Sequence, residues 1–187
     1  MREIVAHLII TLDGVVEFGA VQDAVVRMSN GKVAKDMASQ LIREDAMILG
    51  RKTYDVWSQF WPSSKIQPFA DHINAVQKYV VTNSLKEAPW GAIGNATVLS
   101  GDVRRSILKL KSQRGKTIGV HGSPTLVRSL IQNDLLDRLH LFLMPIVAGT
   151  GARLFEGDFA SQKMKIVDLI RNQNGVLAIT YRPTGHL

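Results

Sequence analysis

Cysteine is absent from all 187 residues, which removes disulfides, thiolate metal sites and cysteine nucleophiles at one stroke and suits a reducing cytosol. Long apolar runs are missing as well. The longest, residues 139–149, contains Pro145 and falls well short of the roughly 20 residues that cross a bilayer. A secretory leader is not evident either, because only Arg2 precedes Glu3 and His7 interrupts the first apolar stretch. A cytoplasmic protein without a membrane segment is expected. Repeats, linkers and low-complexity tracts are lacking, so residues 1–187 read as one globular domain. The five histidines, His7, His72, His121, His140 and His186, show no paired ligand spacing, and no metal site is expected. His7, His121 and His140 stand in apolar strands and read as satisfied core or strand-end residues. No Ser-His-Asp arrangement can be argued.

What the chain does have is basic charge: 23 Lys and Arg against 16 Asp and Glu give +7. Such an excess concentrates phosphate-bearing partners, and a phosphorylated cofactor qualifies as well as nucleic acid does. The densest basic segment is Arg104, Arg105, Lys109, Lys111, Arg114 and Lys116, interleaved with Ile107, Leu108 and Leu110. It reads as the solvated face of an amphipathic helix, and no nucleic acid is expected. A non-catalytic ligand- or nucleic-acid-binding module using that helix, residues 104–116, is the alternative function.

Strand signals fall at about 3–11, 46–50, 78–82, 97–100, 117–121, 138–147, 165–171 and 176–182. Helical patterns separate most of them. Val33, Met37 and Leu41 form one stripe, and Tyr54, Trp57 and Trp61 form another that reads as core aromatics. Further helices are expected over 68–77, 102–113 and 124–133. Alternation of this kind predicts a mostly parallel sheet with helices on both faces. Asn174-Gly175 between the last two strands predicts an antiparallel hairpin that closes it.

Three strand-to-helix junctions carry the chemistry. At the first, Gly50 allows close backbone approach, Arg51 offers a charged fork for a phosphate monoester, and Thr53 can cap the following helix. At the second, Gly122-Ser123 is the turn, Ser123 the natural cap, and Pro124 suits the first helical position. The amides of Ser123, Thr125 and Leu126 would then face an anion. The third strand ends in Thr82, Asn83 and Ser84, small polar residues that could bond an adenosine edge or its phosphate. Three such ends in one sheet fit an extended, multi-phosphate ligand. Gly149-Thr150-Gly151 is a decoy, since Leu154 stands where a dinucleotide fingerprint needs its third glycine.

The order of Thr11-Leu12-Asp13-Gly14, Leu49-Gly50-Arg51-Lys52-Thr53-Tyr54, Lys78 to Leu85, His121 to Leu126, and Leu136 to Leu139 leading into Pro145 to Phe155 resembles the dihydrofolate-reductase-like family. The riboflavin-biosynthesis reductase branch is the nearer likeness, and it covers nearly the whole chain. The resemblance implies a three-layer α/β/α fold with a mostly parallel mixed sheet and a C-terminal antiparallel hairpin. It implies an NADPH-dependent oxidoreductase acting on C=N or C=O in a small heterocyclic or sugar-like acceptor, as in 5-amino-6-(5-phosphoribosylamino)uracil reductase or dihydrofolate reductase. NADPH would meet Gly50, Arg51 and Thr53 through its phosphates, Thr82, Asn83 and Ser84 near the adenosine, and Gly122, Ser123, Pro124, Thr125 and Leu126 at the pyrophosphate. Asp13, Gly14 and Val16 would lie beside the nicotinamide and acceptor. A homodimer is expected, from the resemblance and from the apolar β surface of 139–147 and the hairpin.

Departures matter. True dihydrofolate reductases carry two consecutive glycines where Gly122-Ser123 stands here, and they place a buried acid near the position of Ala34. Asp36, beside Lys35, reads as solvated. Folate reduction is therefore not favoured, and the deaminase domain and zinc ligands of bifunctional riboflavin enzymes have no counterpart in this sequence.

Overall fold

The computed structural model describes residues 1–17 and 19–186, and the side chain of His186, with the expectation attached to it, lies outside the described residues. In chain order the elements are β1 (Ile4–Thr11), α1 (Gln22–Met28), α2 (Lys32–Leu41), β2 (Glu44–Gly50), α3 (Arg51–Phe60), α4 (Phe69–Ala75), β3 (Gln77–Val81), β4 (Ala96–Leu99), α5 (Val103–Ser112), β5 (Thr117–Val120), α6 (Pro124–Gln132), β6 (Arg138–Met144), β7 (Gln162–Arg171) and β8 (Leu177–His186). One sheet holds all eight strands in the order β4-β3-β2-β5-β1-β6-β8-β7. The six strands from β4 to β6 are mutually parallel. β8 turns antiparallel on β6, and β7 on β8.

Strand pleating divides the apolar residues between two faces. Ile4, Ala6, Leu8, Ile48, Ile118 and Val120 face one way and bury Ile107, Leu110, Leu126, Val127 and Leu130 of α5 and α6. On the other face Met47, Leu49 and Val80 meet Tyr54 of α3 and Ile73 of α4. Further along that face Phe142, Met144 and Ala178 meet Val25 of α1 and Val33 of α2. The three-layer α/β/α arrangement follows from these two interfaces.

Local signals place several ends. Asp102 caps α5 by accepting from Arg105 N at 2.9 Å, and Asn172 and Gly175 close the last hairpin through Asn172 N to Val176 O at 2.9 Å. Other ends differ from expectation. β6 stops at Met144 rather than 147, because Pro145 interrupts it and Ile146 turns back to accept from Leu12 N at 2.8 Å. The seven-residue α1 had no clear signal, its periodic stretch being too short. Lys111 is no part of a solvated face: it is 5% exposed, and its Nζ donates to Asp137 Oδ2 at 2.5 Å and to Leu135 O at 3.3 Å. Asp36 is half-buried rather than solvated, with Oδ2 enclosed and lacking a hydrogen-bond partner.

Lys78, in β3, is fully enclosed. Its Nζ donates to Asn74 O and Asn95 Oδ1, both at 2.9 Å, and lies 4.6 Å from the Trp90 ring centre. A neutral amine has the two hydrogens these acceptors need, and burial pushes the pKa down to about 7 from 10.5. Between those values the unfolded lysine is charged while the folded amine is increasingly neutral, so unfolding takes up protons and stability rises with pH. Urea unfolding across pH 7 to 10.5 should therefore show wild-type stability rising with pH relative to Lys78→Met; parallel curves would mean that Lys78 stays charged.

Candidate active site

β3, β2, β5 and β1 are consecutive and parallel, so their C-terminal ends open on one edge of the sheet. Thr82 to Ser84 follow the first, Gly50 and Arg51 end the second, Gly122 to Leu126 follow the third, and Asp13 to Val16 follow the fourth. The two central ends touch. Gly50 N donates to Gly122 O at 2.9 Å, and a Cβ on Gly50 would stand 2.7 Å from Ser123 N. On Gly122, whose φ is +117°, a Cβ would meet Thr53 Oγ1 at 2.7 Å. Bare backbone is needed at this junction because the two chains already fill the space.

Thr53 is not a cap. α3 begins at Arg51 with Gly50 before it, which makes Thr53 the third helical residue, and no side chain caps that end. Ser123 does precede α6, yet its hydroxyl makes no capping bond, and its peptide with Gly122 is cis. Both helices thus present first-turn amides unblocked by side chains. Arg51 leans across toward the neighbouring strand end, its Nε donating to Asp55 Oδ1 at 2.7 Å and its Nη1 to Ser84 Oγ at 2.7 Å. Ser84 Oγ is 3.1 Å from Thr82 Oγ1, and Asn83 Oδ1 accepts from Gly101 N at 3.4 Å. Thr125 is exposed, Pro124 half-buried, and the Leu126 side chain belongs to the core, leaving only its amide for a ligand.

The Asp13 carboxylate turns away from the opening. It accepts from the Thr11 hydroxyl at 2.6 Å, from Ala148 N at 3.0 Å and from Gly149 N at 2.8 Å. Those bonds, the Thr11 hydroxyl foremost, hold it well below the usual carboxylate range. Asp13 and Gly14 are thereby fixed to the loop after β6, and only Val16 of this group lines the adjoining cavity.

That cavity, about 700 Å³, lies between the sheet and the helices of the second face; His7, Met37, Trp57, Trp61, His121 and Phe142 are among its walls. Trp57 and Trp61 pack against the core that holds the buried Tyr54 and also wall the cavity. They are half-buried and pack edge to face at 5.6 Å, with the Trp57 ring 5.3 Å from that of His121. Behind the two histidines sits Glu44, whose side chain has no solvent exposure. His121 Nε2 is 2.9 Å from Glu44 Oε2, and His7 Nε2 is 3.2 Å from Oε1 but out of line for a hydrogen bond.

Sequence reasoning passed over Glu44 because pleating alone would turn it to the opposite face. An irregularity between Glu44 and Ala46 pairs them with the adjacent residues Thr117 and Ile118, so Glu44 faces the histidines. Gly119 supplies the hollow, since a Cβ there would overlap the carboxylate. A glycine inside an apolar strand was the available signal. The histidines are not all satisfied as expected: His140 Nδ1 meets Thr180 Oγ1 at 2.7 Å, while Nε2 of His7, His72 and His140 is buried without a hydrogen bond. Burial and the neighbouring imidazoles push His7 far down and keep it neutral; burial also lowers His72 and His140.

Parallel strands opening on a shared edge, with a glycine-built junction and a cavity beside it, define a dihydrofolate-reductase-like α/β domain. The chain belongs to the RibD C-terminal domain family, whose model matches residues 2–178. It is 28% identical to YyaP of Bacillus subtilis (strain 168), described as uncharacterized, over 98% of this chain and 96% of that protein. Its fold is similar to that of a Shewanella sp. PV-4 protein assigned to riboflavin biosynthesis, at TM-score 0.79 and 18% identity over 98% and 99% of the two chains. It is also similar to that of dihydrofolate reductase from Enterococcus faecalis, solved with NADP(H), at TM-score 0.60 and 16% identity over 97% and 96%.

The buried carboxylate gives a direct test. Gly119→Ala should destabilise the protein by about 1–3 kcal/mol through overpacking. In a double-mutant cycle with Glu44→Ala the two changes should couple by about 0.5–3 kcal/mol, because removing the carboxylate vacates the space the methyl needs. Additive losses in chemical denaturation would show that the two residues do not share that space.

Proposed function

We propose that this chain is an NADPH-dependent reductase that delivers hydride to a C=N or C=O bond of a small heterocyclic or sugar-like acceptor. The observation that carries the reading is the run of adjacent strand ends, where Arg51, Ser84 and the first-turn amides of α3 and α6 converge beside an apolar cavity. The residues fit the cofactor. Gly50 and Gly122 keep the junction low enough for a pyrophosphate to approach, and the unblocked amides supply partial positive charge. Arg51 would hold the ribose phosphate. Its exposed pair with Asp55 is weak, of order 0.3–0.5 kcal/mol for an i,i+4 contact, so that pair steers the fork rather than consuming it.

NADPH, when bound, supplies the hydride; the protein contributes orientation and exclusion of water. Val16 and the Trp57 ring bound the cavity next to the strand ends, and a volume of about 700 Å³ can take a reacting ring and a small acceptor together. The likeness to an NADP(H)-bound fold supports this choice of cofactor. A homodimer is part of the proposal: β7 is an edge strand with Ile166, Val167 and Leu169 exposed, apolar surface that a second copy would cover. Light scattering should give twice the 20.7 kDa chain mass, and a concentration-independent monomer would refute the dimer.

Arg51 tests the cofactor assignment, because the group it would bond is absent from NADH. A charged hydrogen bond contributes about 1.5–3 kcal/mol, so Arg51→Ala should weaken NADPH about 10- to 150-fold and leave NADH nearly unchanged. Lys52, exposed beside it, is the control. Calorimetric titration of both cofactors into wild type, Arg51→Ala and Lys52→Ala decides the matter; equal losses for the two cofactors would remove the phosphate from Arg51.

A further inference from the structure

Among the described residues, none of the twenty that line the 700 Å³ cavity is Asp, Glu, Lys or Arg. This is unusual beside a +7 chain, and it is selective rather than a shortage of charge. The cations of the strand-end region stay outside: Arg51 points to Ser84 and Asp55, and Arg153 donates to Asp13 O at 3.0 Å. The carboxylate behind the cavity's histidines, Glu44, is sealed by His7 and His121. What remains is aromatic and aliphatic surface from Trp57, Trp61, Phe69 and Phe142, with neutral amide and hydroxyl groups from Gln22, Ser29, Asn30 and Gln67.

Such a lining decides which compounds can enter. A phosphate or carboxylate carried into it would lose its water with no Lys or Arg to replace that hydration and with His121 already paired to Glu44, and an ammonium or amidinium would meet no free carboxylate. A neutral planar ring loses little and gains stacking against the Trp57 indole, whose partner rings lie 5.3 and 5.6 Å away. One polar anchor is also built. Glu44 engages His121 through Nε2 at 2.9 Å, which fixes the ring's orientation and leaves Nδ1 without a hydrogen-bond partner among the described residues.

From this we infer that the acceptor is a neutral, largely apolar planar ring compound that stacks on Trp57 and meets His121 with a single uncharged hydrogen-bonding group, and that phosphorylated and carboxylated acceptors are excluded. The inference rests on the reductase reading for the word acceptor, but the ligand class rests on the cavity alone. Trp57 and Glu44 are positioning residues here: one offers the stacking face and the other holds His121.

A matched pair of probes tests it. Quinoxalin-2(1H)-one is flat, neutral and carries a C=N bond and a lactam; 3-oxo-3,4-dihydroquinoxaline-2-carboxylate is the same bicycle with one negative charge. Each is titrated into the intact protein with tryptophan fluorescence as the readout, with and without NADPH, and 5-amino-6-(5-phosphoribosylamino)uracil is run beside them. The neutral lactam should bind at least tenfold more tightly than either anion, and Trp57→Ala should weaken it at least tenfold. His121→Phe should erase its advantage over naphthalene, which has no polar atom. Equal or tighter binding of an anion overturns the proposal, as does failure of the lactam to saturate up to its solubility limit, or unchanged affinity in Trp57→Ala. The wild-type comparison stands even if a variant does not fold. NADPH binding is measured separately by thermal shift, so loss of the cofactor reading leaves the comparison of ligand classes intact.

Discussion

Glu44 places its carboxyl group where water cannot reach it, among the parallel strands β2, β5 and β1. Leaving a carboxylate there unpaired would be costly, so the surroundings must supply hydrogen bonding and room. β2 bends to aim it, β5 gives up a side chain at Gly119 to house it, and His121, just past β5, and His7 of β1 face it. The central register of the sheet is thereby specified beyond what apolar packing requires. It also fixes the rings that form the floor of the cavity, so a buried polar requirement and the shape of the candidate site share the same atoms.

The edge of the sheet follows from topology rather than from any one residue. Parallel strands joined by crossover helices bring every carboxyl end to the same side, and the helices that follow begin there. Two of them begin without side-chain caps, which is unfavourable for isolated helices and useful where an anion can take the cap's place. Arg51 joins this edge from the outside, held by Asp55 and Ser84, while the cavity next to it is lined without Asp, Glu, Lys or Arg. A polar, cationic edge and a largely apolar cavity thus lie a few residues apart.

Much of this was legible in the sequence, for reasons particular residues show. The alternation of apolar runs with helical stripes gave the layers, and Asn174-Gly175 gave the hairpin, because both signals are local. The Gly50-Arg51 and Gly122-to-Leu126 junctions could be read as neighbours only with help from family resemblance, since strand order is not a local property. Glu44 stayed hidden because the irregularity beside Asp45 reverses its face. Trp57 and Trp61 pack against the core as their spacing suggested and also face an opening, because periodicity says that two residues share a side, not whether that side is wholly covered. The Thr53 cap failed because the helix starts three residues earlier, directly after Gly50.

The bonds of Asp13 have one more consequence. By tying the end of β1 to Ala148 and Gly149 after β6, with Arg153 bound to its carbonyl, they join two strand ends and a loop into a single rigid jaw. The opposite side of the cavity is built differently, from the two-turn α1, which buries only Val25 into the core, and from one face of α2. Opening free energies follow buried contact and backbone bonding, so breathing of the cleft falls to that thinner jaw. A ligand entering the cleft would pass Gln22 to Asn30 while the side built on Asp13 stays still.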